Sequence, residues 1–252
     1  MKIVRFKAAG KTRYGAMDGA RIVEYIGTPF GAFKKARKSY PLRQVVILAP
    51  VVPSKIVAVA SNYRDHAEEI GLDADLEPRF FFKPISALCG PDDPIVFPAQ
   101  CERLDYEAEL AVVIKKRCRN VPPERARDHV LGYTCLNDVT ARDLQARDGQ
   151  PGRAKSFDSF CPVGPCVATD IDPNGVDIES YLNGEKKQAS NSKHMVLPVE
   201  DLVARVSAVM TLLAGDVIAT GTPAGAGPMR PGDKVEVRIE GIGSLKNPVI
   251  RI

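Results

Sequence analysis

Residues 105–114 read DYEAELAVVI. The second half, Ala111 to Ile114, is unbroken apolar text, which predicts a strand buried on both faces. The first half sets Glu107 and Glu109 two residues apart. Successive strand side chains alternate in direction, so the two carboxylates project from one face. An E-x-E pair is ordinarily a solvated strand face. At the mouth of a buried strand, however, two acids repel unless a cation or protons neutralise them. Asp138 closes a second apolar run, GYTCLND at residues 132–138, and offers a third carboxylate of the same kind. Three such oxygen donors leave room for water and substrate and suit Mg²⁺ or Mn²⁺ better than zinc. Spacing alone leaves both the solvated-face and the metal readings standing.

Upstream, residues 2–26 hold three short alternating runs divided by Gly10 and by the hairpin signal Asp18-Gly19. They predict a small antiparallel β domain over residues 1–50, followed by a body over residues 51–252. In the body, KIVAVASNY (55–63) reads as a strand and RDHAEEIG (64–71) as a short helix stopped by Gly71. Strand-like runs broken by proline turns follow from Phe80 to Ile114. Glu124 to Val130 reads as a helix after Pro122-Pro123, and Asp143 to Asp158 as a polar surface loop. Pro198 opens a helical stretch in which Leu202, Val203, Val206, Val209, Met210 and Leu213 recur at helical spacing. The tail returns to short strands. The class is therefore α+β, predominantly β.

The net charge of +4 is spread without a Lys/Arg block or interleaved aromatics, which argues against a nucleic-acid partner and is compatible with anionic substrates. No apolar stretch approaches the roughly 20 residues a membrane helix needs, and the N-terminal text lacks a signal-peptide core, so the cytoplasm is the expected location. Six cysteines at scattered spacings, with no CxxC pair, read as reduced thiols, not as a zinc site.

Two further sets carry chemistry. His66 and Glu69 share one helix face at i,i+3; a carboxylate there fixes the imidazole tautomer and makes it a general base, although a chance exposed pair fits the spacing equally well. Arg142 and Gln145 are i,i+3 if TARDLQ is helical and, with Lys155, form a donor set for a carboxylate or oxyanion. The glycine-rich TGTPAGAG (220–227) lacks the GK[ST] ending of a P-loop and reads as a turn, with Thr222 as a substrate contact.

Six ordered motifs, SNYRDHAEEIG (61–71), FFKP (81–84), LDYEAELAVVI (104–114), GYTCLNDVTARDLQ (132–145), AKSFDSFCPVGP (154–165) and GDVIATGTPAG (215–225), together resemble the fumarylacetoacetate hydrolase family. The resemblance runs from about residue 50 to the C-terminus; the N-terminal segment matches only in kind. It implies a mixed β-roll or β-sandwich with short helices. It also implies Mg²⁺ or Mn²⁺ on Glu107, Glu109 and Asp138, a catalytic dyad of His66 and Glu69, and a homodimer. Lys155 then acts in catalysis, with Arg142, Gln145 and Thr222 on the substrate. The expected substrate is a small 2-keto acid, handled through a metal-stabilised enolate. Hydrolytic C–C cleavage of an acylpyruvate, decarboxylation or tautomerisation of oxaloacetate, and isomerisation of a 2-hydroxyhepta-2,4-diene-1,7-dioate all pass through that charge distribution. A non-catalytic keto-acid-binding protein would keep the three carboxylates without needing His66.

Overall fold

The central strand forms over Ala108–Ile114, and every residue of it is buried. It pairs antiparallel with Val130–Asn137 on one side and with Val217–Ala219 on the other. Its side chains divide between two apolar layers: Ala108, Leu110, Val112 and Ile114 join one, Ala111 and Val113 the other. This is the two-sided burial that the apolar run predicts. The computed structural model describes residues 1–69, 71, 77 and 79–251, and its fold is predominantly β, with several sheets and few short helices.

Beyond Val217–Ala219 the large sheet continues through Ile56–Ala60, which pairs parallel with it, to the edge strand Arg79–Lys83. In the other direction it passes through Cys161–Ala168 to the N-terminal strands. Lys2–Ala8, Lys11–Asp18, Arg21–Gly27 and Phe33–Pro41 form an antiparallel meander, turning at the predicted Asp18-Gly19 hairpin. Lys2–Ala8 also pairs with Cys161–Ala168, through Lys2↔Ala168 and Ile3↔Val167, so the N-terminal sheet is continuous with the body. A five-stranded sheet built on Asp177–Leu182, Glu185–Asn191, Lys234–Ile239, Gly243–Ile250 and Ile95–Val96 adds Ile178, Val237, Ile239 and Leu245 to the first apolar layer.

Four expectations are corrected. The strand from Tyr106 to Ile114 is divided: Leu104–Tyr106 belongs to a separate three-stranded sheet, and Glu107 is the link between the two. At this break side-chain amides take over from the backbone ladder, since Glu107 N–H donates to Asn137 Oδ1 and Ala108 N–H to Gln188 Oε1, both at 3.0 Å. The polar stretch 143–158 is not simply a loop. A helix, Arg142–Asp148, opens it, with Leu144 buried and Gly149 in the left-handed region at its end. The C-terminal helix, Val199–Val209, buries Leu202, Val203 and Val206 but stops before Met210; Val209 is 62 % exposed and Leu213 lies beyond the helix, 39 % exposed. Glu124 to Val130 is a 3₁₀ turn, Pro123–His129, not an α-helix. The predicted short helix forms over Arg64–Glu69, and Ile70 lies outside the described residues. The cysteines are all free thiols, with only Cys89 not fully buried. Among the described residues no helix is long and apolar enough to cross a membrane.

Candidate metal centre and active site

The division at Glu107 places this residue where two sheets meet. Asp138, one residue past the strand Val130–Asn137, donates its N–H to Glu107 O at 2.9 Å, so the backbone itself fixes the distance between the two carboxylates. Glu109 shares a strand face with Ala111 and Val113. Carboxylate oxygens of Glu107, Glu109 and Asp138 all lie within 4.8 Å of one another, and all three residues are buried.

Basic side chains surround this triad unevenly. Lys155 Nζ donates to Glu107 Oε2 and Asp138 Oδ2, both at 2.7 Å. Lys83 Nζ, itself 1 % exposed, donates to Asp138 Oδ1 at 2.5 Å and to Val139 O at 3.2 Å. Arg142 spreads one guanidinium over Asp105 Oδ2 at 3.0 Å, Glu107 Oε1 at 2.5 Å and Gln145 Oε1 at 2.8 Å. Asp105 is held from the other side by Arg103. Glu109 is the exception. Among the described residues it has no basic partner, and its Oε2 accepts Gly221 N–H at 2.8 Å.

The titration behaviour follows from that asymmetry. Burial pushes the Glu107 carboxyl up, but Lys155 and Arg142 more than reverse it and hold it well below the usual range. Burial also pushes Glu109 up, and here Asp138 and Glu107 add to the push, outweighing Lys155 and the Gly221 N–H. Burial alone would drive Lys155 toward its neutral amine; Asp138 and Glu107 keep it charged, above the ordinary lysine value. A buried acid crowded by two others and lacking its own cation is what a hard divalent ion relieves. The all-oxygen donor set therefore fits Mg²⁺ or Mn²⁺.

The triad opens into a cavity of about 460 Å³. His66, Arg142, Gln145, Lys155 and Thr222 all line it, so the structure brings these sequence-predicted residues to one place. His66 is 8 % exposed, and its Nδ1 lies 3.0 Å from Glu69 Oε2. Glu69 is in turn anchored by Gly225 N–H, 3.1 Å from Oε1, so the glycine-rich turn positions the dyad. Gly225 has φ +92°, and a Cβ there would meet Lys187 O at 2.6 Å; only glycine fits. The helical spacing of Arg142 and Gln145 is realised in the helix Arg142–Asp148. Because Gln145 Oε1 accepts from Arg142, its amide –NH₂ is the group left to donate into the cavity. The Thr222 hydroxyl donates to Ala108 O and accepts from Gln188 Nε2, at 2.9 and 2.8 Å.

Sequence reasoning passed over Lys83, Asp105, Asn137, Gln188 and Arg79. Lys83 carried a readable signal, a lysine ending a phenylalanine-rich strand in the FFKP motif. Gln188 had none, because it sits among lysines on a hairpin strand and is buried only by tertiary packing.

Comparison with known proteins agrees with this architecture. Residues 55–250 match the family described as Fumarylacetoacetate (FAA) hydrolase C-terminal, and residues 1–50 the one described as Rv2993c-like, N-terminal. The structure of a 2-hydroxyhepta-2,4-diene-1,7-dioate isomerase from Mycobacterium marinum superposes with a TM-score of 0.93 at 42 % identity, covering 100 % of this chain and 98 % of that one. A maleylpyruvate hydrolase from Sphingobium, solved with manganese(II) and pyruvate, gives 0.84 at 34 % identity, covering 100 % and 99 %. A human mitochondrial oxaloacetate tautomerase is 42 % identical over 83 % of this chain and 71 % of its own length. The chain thus belongs to the fumarylacetoacetate hydrolase family.

Proposed function

We propose that this chain is a divalent-metal-dependent enzyme that hydrolyses a C–C bond of an acylpyruvate-type 2-keto acid, working in the cytoplasm as a homodimer. The observation that carries the reading is that the acidic triad and the His66–Glu69 pair face one cavity. A cation on Glu107, Glu109 and Asp138 supplies positive charge for the carboxylate and 2-oxo oxygens of the substrate and for the charge that collects there as the bond breaks. The manganese and pyruvate bound by the Sphingobium hydrolase support this assignment.

The protein's own residues supply the rest. Glu69 holds the proton on His66 Nδ1, which leaves Nε2 as the base. His66 takes a proton from water, and the water oxygen attacks the 4-oxo carbon. The C3–C4 bond then breaks, its electron pair stays on C3, and protonation there gives pyruvate and a carboxylic acid. Lys155 and Arg142 hold Glu107 in place, and the Gln145 –NH₂ orients the substrate.

A second reading, tautomerisation or double-bond isomerisation, is supported by the full-length likeness to the M. marinum isomerase and by the human tautomerase. In it His66 moves a proton and no water is consumed. A purely binding role would need no base beside the triad.

Turnover of a panel of acylpyruvates, fumarylpyruvate, oxaloacetate and 2-hydroxymuconate-type dienes, with Mg²⁺, Mn²⁺ or a chelator, separates these. Pyruvate release from acylpyruvates is expected, abolished by chelator. His66→Ala should lose hydrolysis by about 10²–10⁴-fold while Mn²⁺ affinity stays near wild type. Isomerised product without cleavage moves the assignment to the second reading; metal-independent turnover sinks both.

A further inference from the structure

The net charge of +4 is made of two unequal parts. Residues 1–50 carry eleven Lys or Arg against two Asp or Glu, a net +9, and residues 51–252 carry 24 against 29, a net −5. The even spread expected of the whole chain is corrected by this division. A strong charge asymmetry between domains is a property of proteins that meet a polyanion. Of the two N-terminal acids, Glu24 is already held by Arg13 and the Tyr40 hydroxyl.

The excess gathers on Phe33–Pro41, the terminal strand of the large sheet. Lys34, Lys35, Arg37 and Lys38 are all exposed, four of five consecutive residues. Lys38 lies over the Tyr40 ring, whereas Lys34, Lys35 and Arg37 make no side-chain hydrogen bond, ion pair or ring contact with any described residue. One lysine is enough to keep another chain from pairing with an edge strand; three unpartnered cations exceed that need. Beside them stands Ile26, directly opposite Lys34 and 68 % exposed; among the described residues no large apolar side chain is more exposed. Tyr14 pairs with Tyr25, so Arg13 and Ile26 both face the opposite way, which sets Arg13, Ile26 and Lys34 in one row across three strands. Lys35, opposite Tyr25, faces the other side of the sheet. Cations therefore flank both sides of this edge, with a bare aliphatic side chain among them.

We propose that the edge Lys34–Lys38, with Ile26, is a docking surface for an anionic lipid bilayer. A charged plane meets both rows of cations at once when the sheet stands on its edge, and a small anion held on one face does not. The net −5 of the body is repelled by the same plane, which fixes the orientation with the N-terminal domain down. Ile26 supplies the apolar contact that makes interfacial binding more than electrostatic. Nucleic acid fits less well, because the aromatic rings at this edge, Tyr25 and Phe33, stack on each other at 4.5 Å and so are not free to stack on bases. The proposal is independent of which substrate the cavity takes.

The test is co-sedimentation of the full chain with vesicles of phosphatidylcholine alone and of about 3:1 phosphatidylcholine and phosphatidylglycerol, each at low and high salt. Wild type should sediment with the anionic vesicles at low salt, leave them at high salt, and ignore the neutral ones. Replacing Lys34, Lys35 and Arg37 together by Gln should lower the partition coefficient about 100-fold. Ile26→Ser should lower it about tenfold without changing the salt dependence. All four side chains are exposed, so both variants should fold, which far-UV circular dichroism and thermal melts check. No binding to anionic vesicles at low salt overturns the proposal, and so does binding that survives the triple substitution or is indifferent to Ile26→Ser. Titration of a labelled RNA oligomer is the remaining arm: tighter binding to RNA than to the vesicles, lost in the triple variant, overturns the bilayer as the partner.

Discussion

Replacing Glu109 with glutamine is expected to weaken Mg²⁺ or Mn²⁺ binding by about 100-fold or more, since a hard cation loses an anionic donor, while the metal-free protein becomes more stable. The two effects have opposite signs for one reason. Among the described residues Glu109 is the acid of the site that lacks a basic partner, with Asp138 and Glu107 facing it. The charge that attracts a cation is the same charge that strains the metal-free site. Glutamine keeps the shape and can still accept the Gly221 N–H. Metal titration and metal-free thermal melts read both quantities, with Tm rising by a few degrees, about 2–4 °C per kcal/mol for a chain of this size. A variant that binds metal as wild type does, or that melts lower without metal, would show that Glu109 is not the unmatched donor.

Lys83→Met should be the most damaging single change among the lysines. The Lys83 ammonium is fully buried on Asp138 Oδ1 and Val139 O. Methionine matches its length and leaves little void, so the cost is that of a buried carboxylate stripped of a partner, about 3–5 kcal/mol. Added Mn²⁺ should narrow the gap to wild type by supplying positive charge at the same carboxylate. Equal melting temperatures of variant and wild type in metal-free buffer would rule out a compensating role for Lys83.

What could be read from the chain alone followed the range of the interactions involved. The Asp18-Gly19 turn, the apolar run Ala111 to Ile114 and the i,i+3 pairs His66–Glu69 and Arg142–Gln145 are local patterns, and each appears in the fold. The division at Glu107 was not legible, because it depends on Asn137 and Gln188 replacing ladder bonds from 30 and 80 residues away. The helix Arg142–Asp148 was legible only as a conditional spacing inside a polar stretch, because its stability comes from Leu144 burial and from the Arg142 contacts to Asp105 and Glu107, not from propensity. Arg79 and Lys83 end a phenylalanine-rich strand, and only the tertiary fold places them on the cavity wall and at the triad.

The bracketing of Asp138 by Lys83 on one oxygen and Lys155 on the other has a consequence for how the centre would take up a cation. These ammonium groups are resident counter-ions supplied by the polypeptide, so a cation bound there would take over a carboxylate that is already neutralised. Structural zinc modules that have no such reserve collapse when stripped. Here the counter-ions belong to the scaffold, so the protein is expected to stay folded in chelator, with a melting temperature close to that of untreated protein.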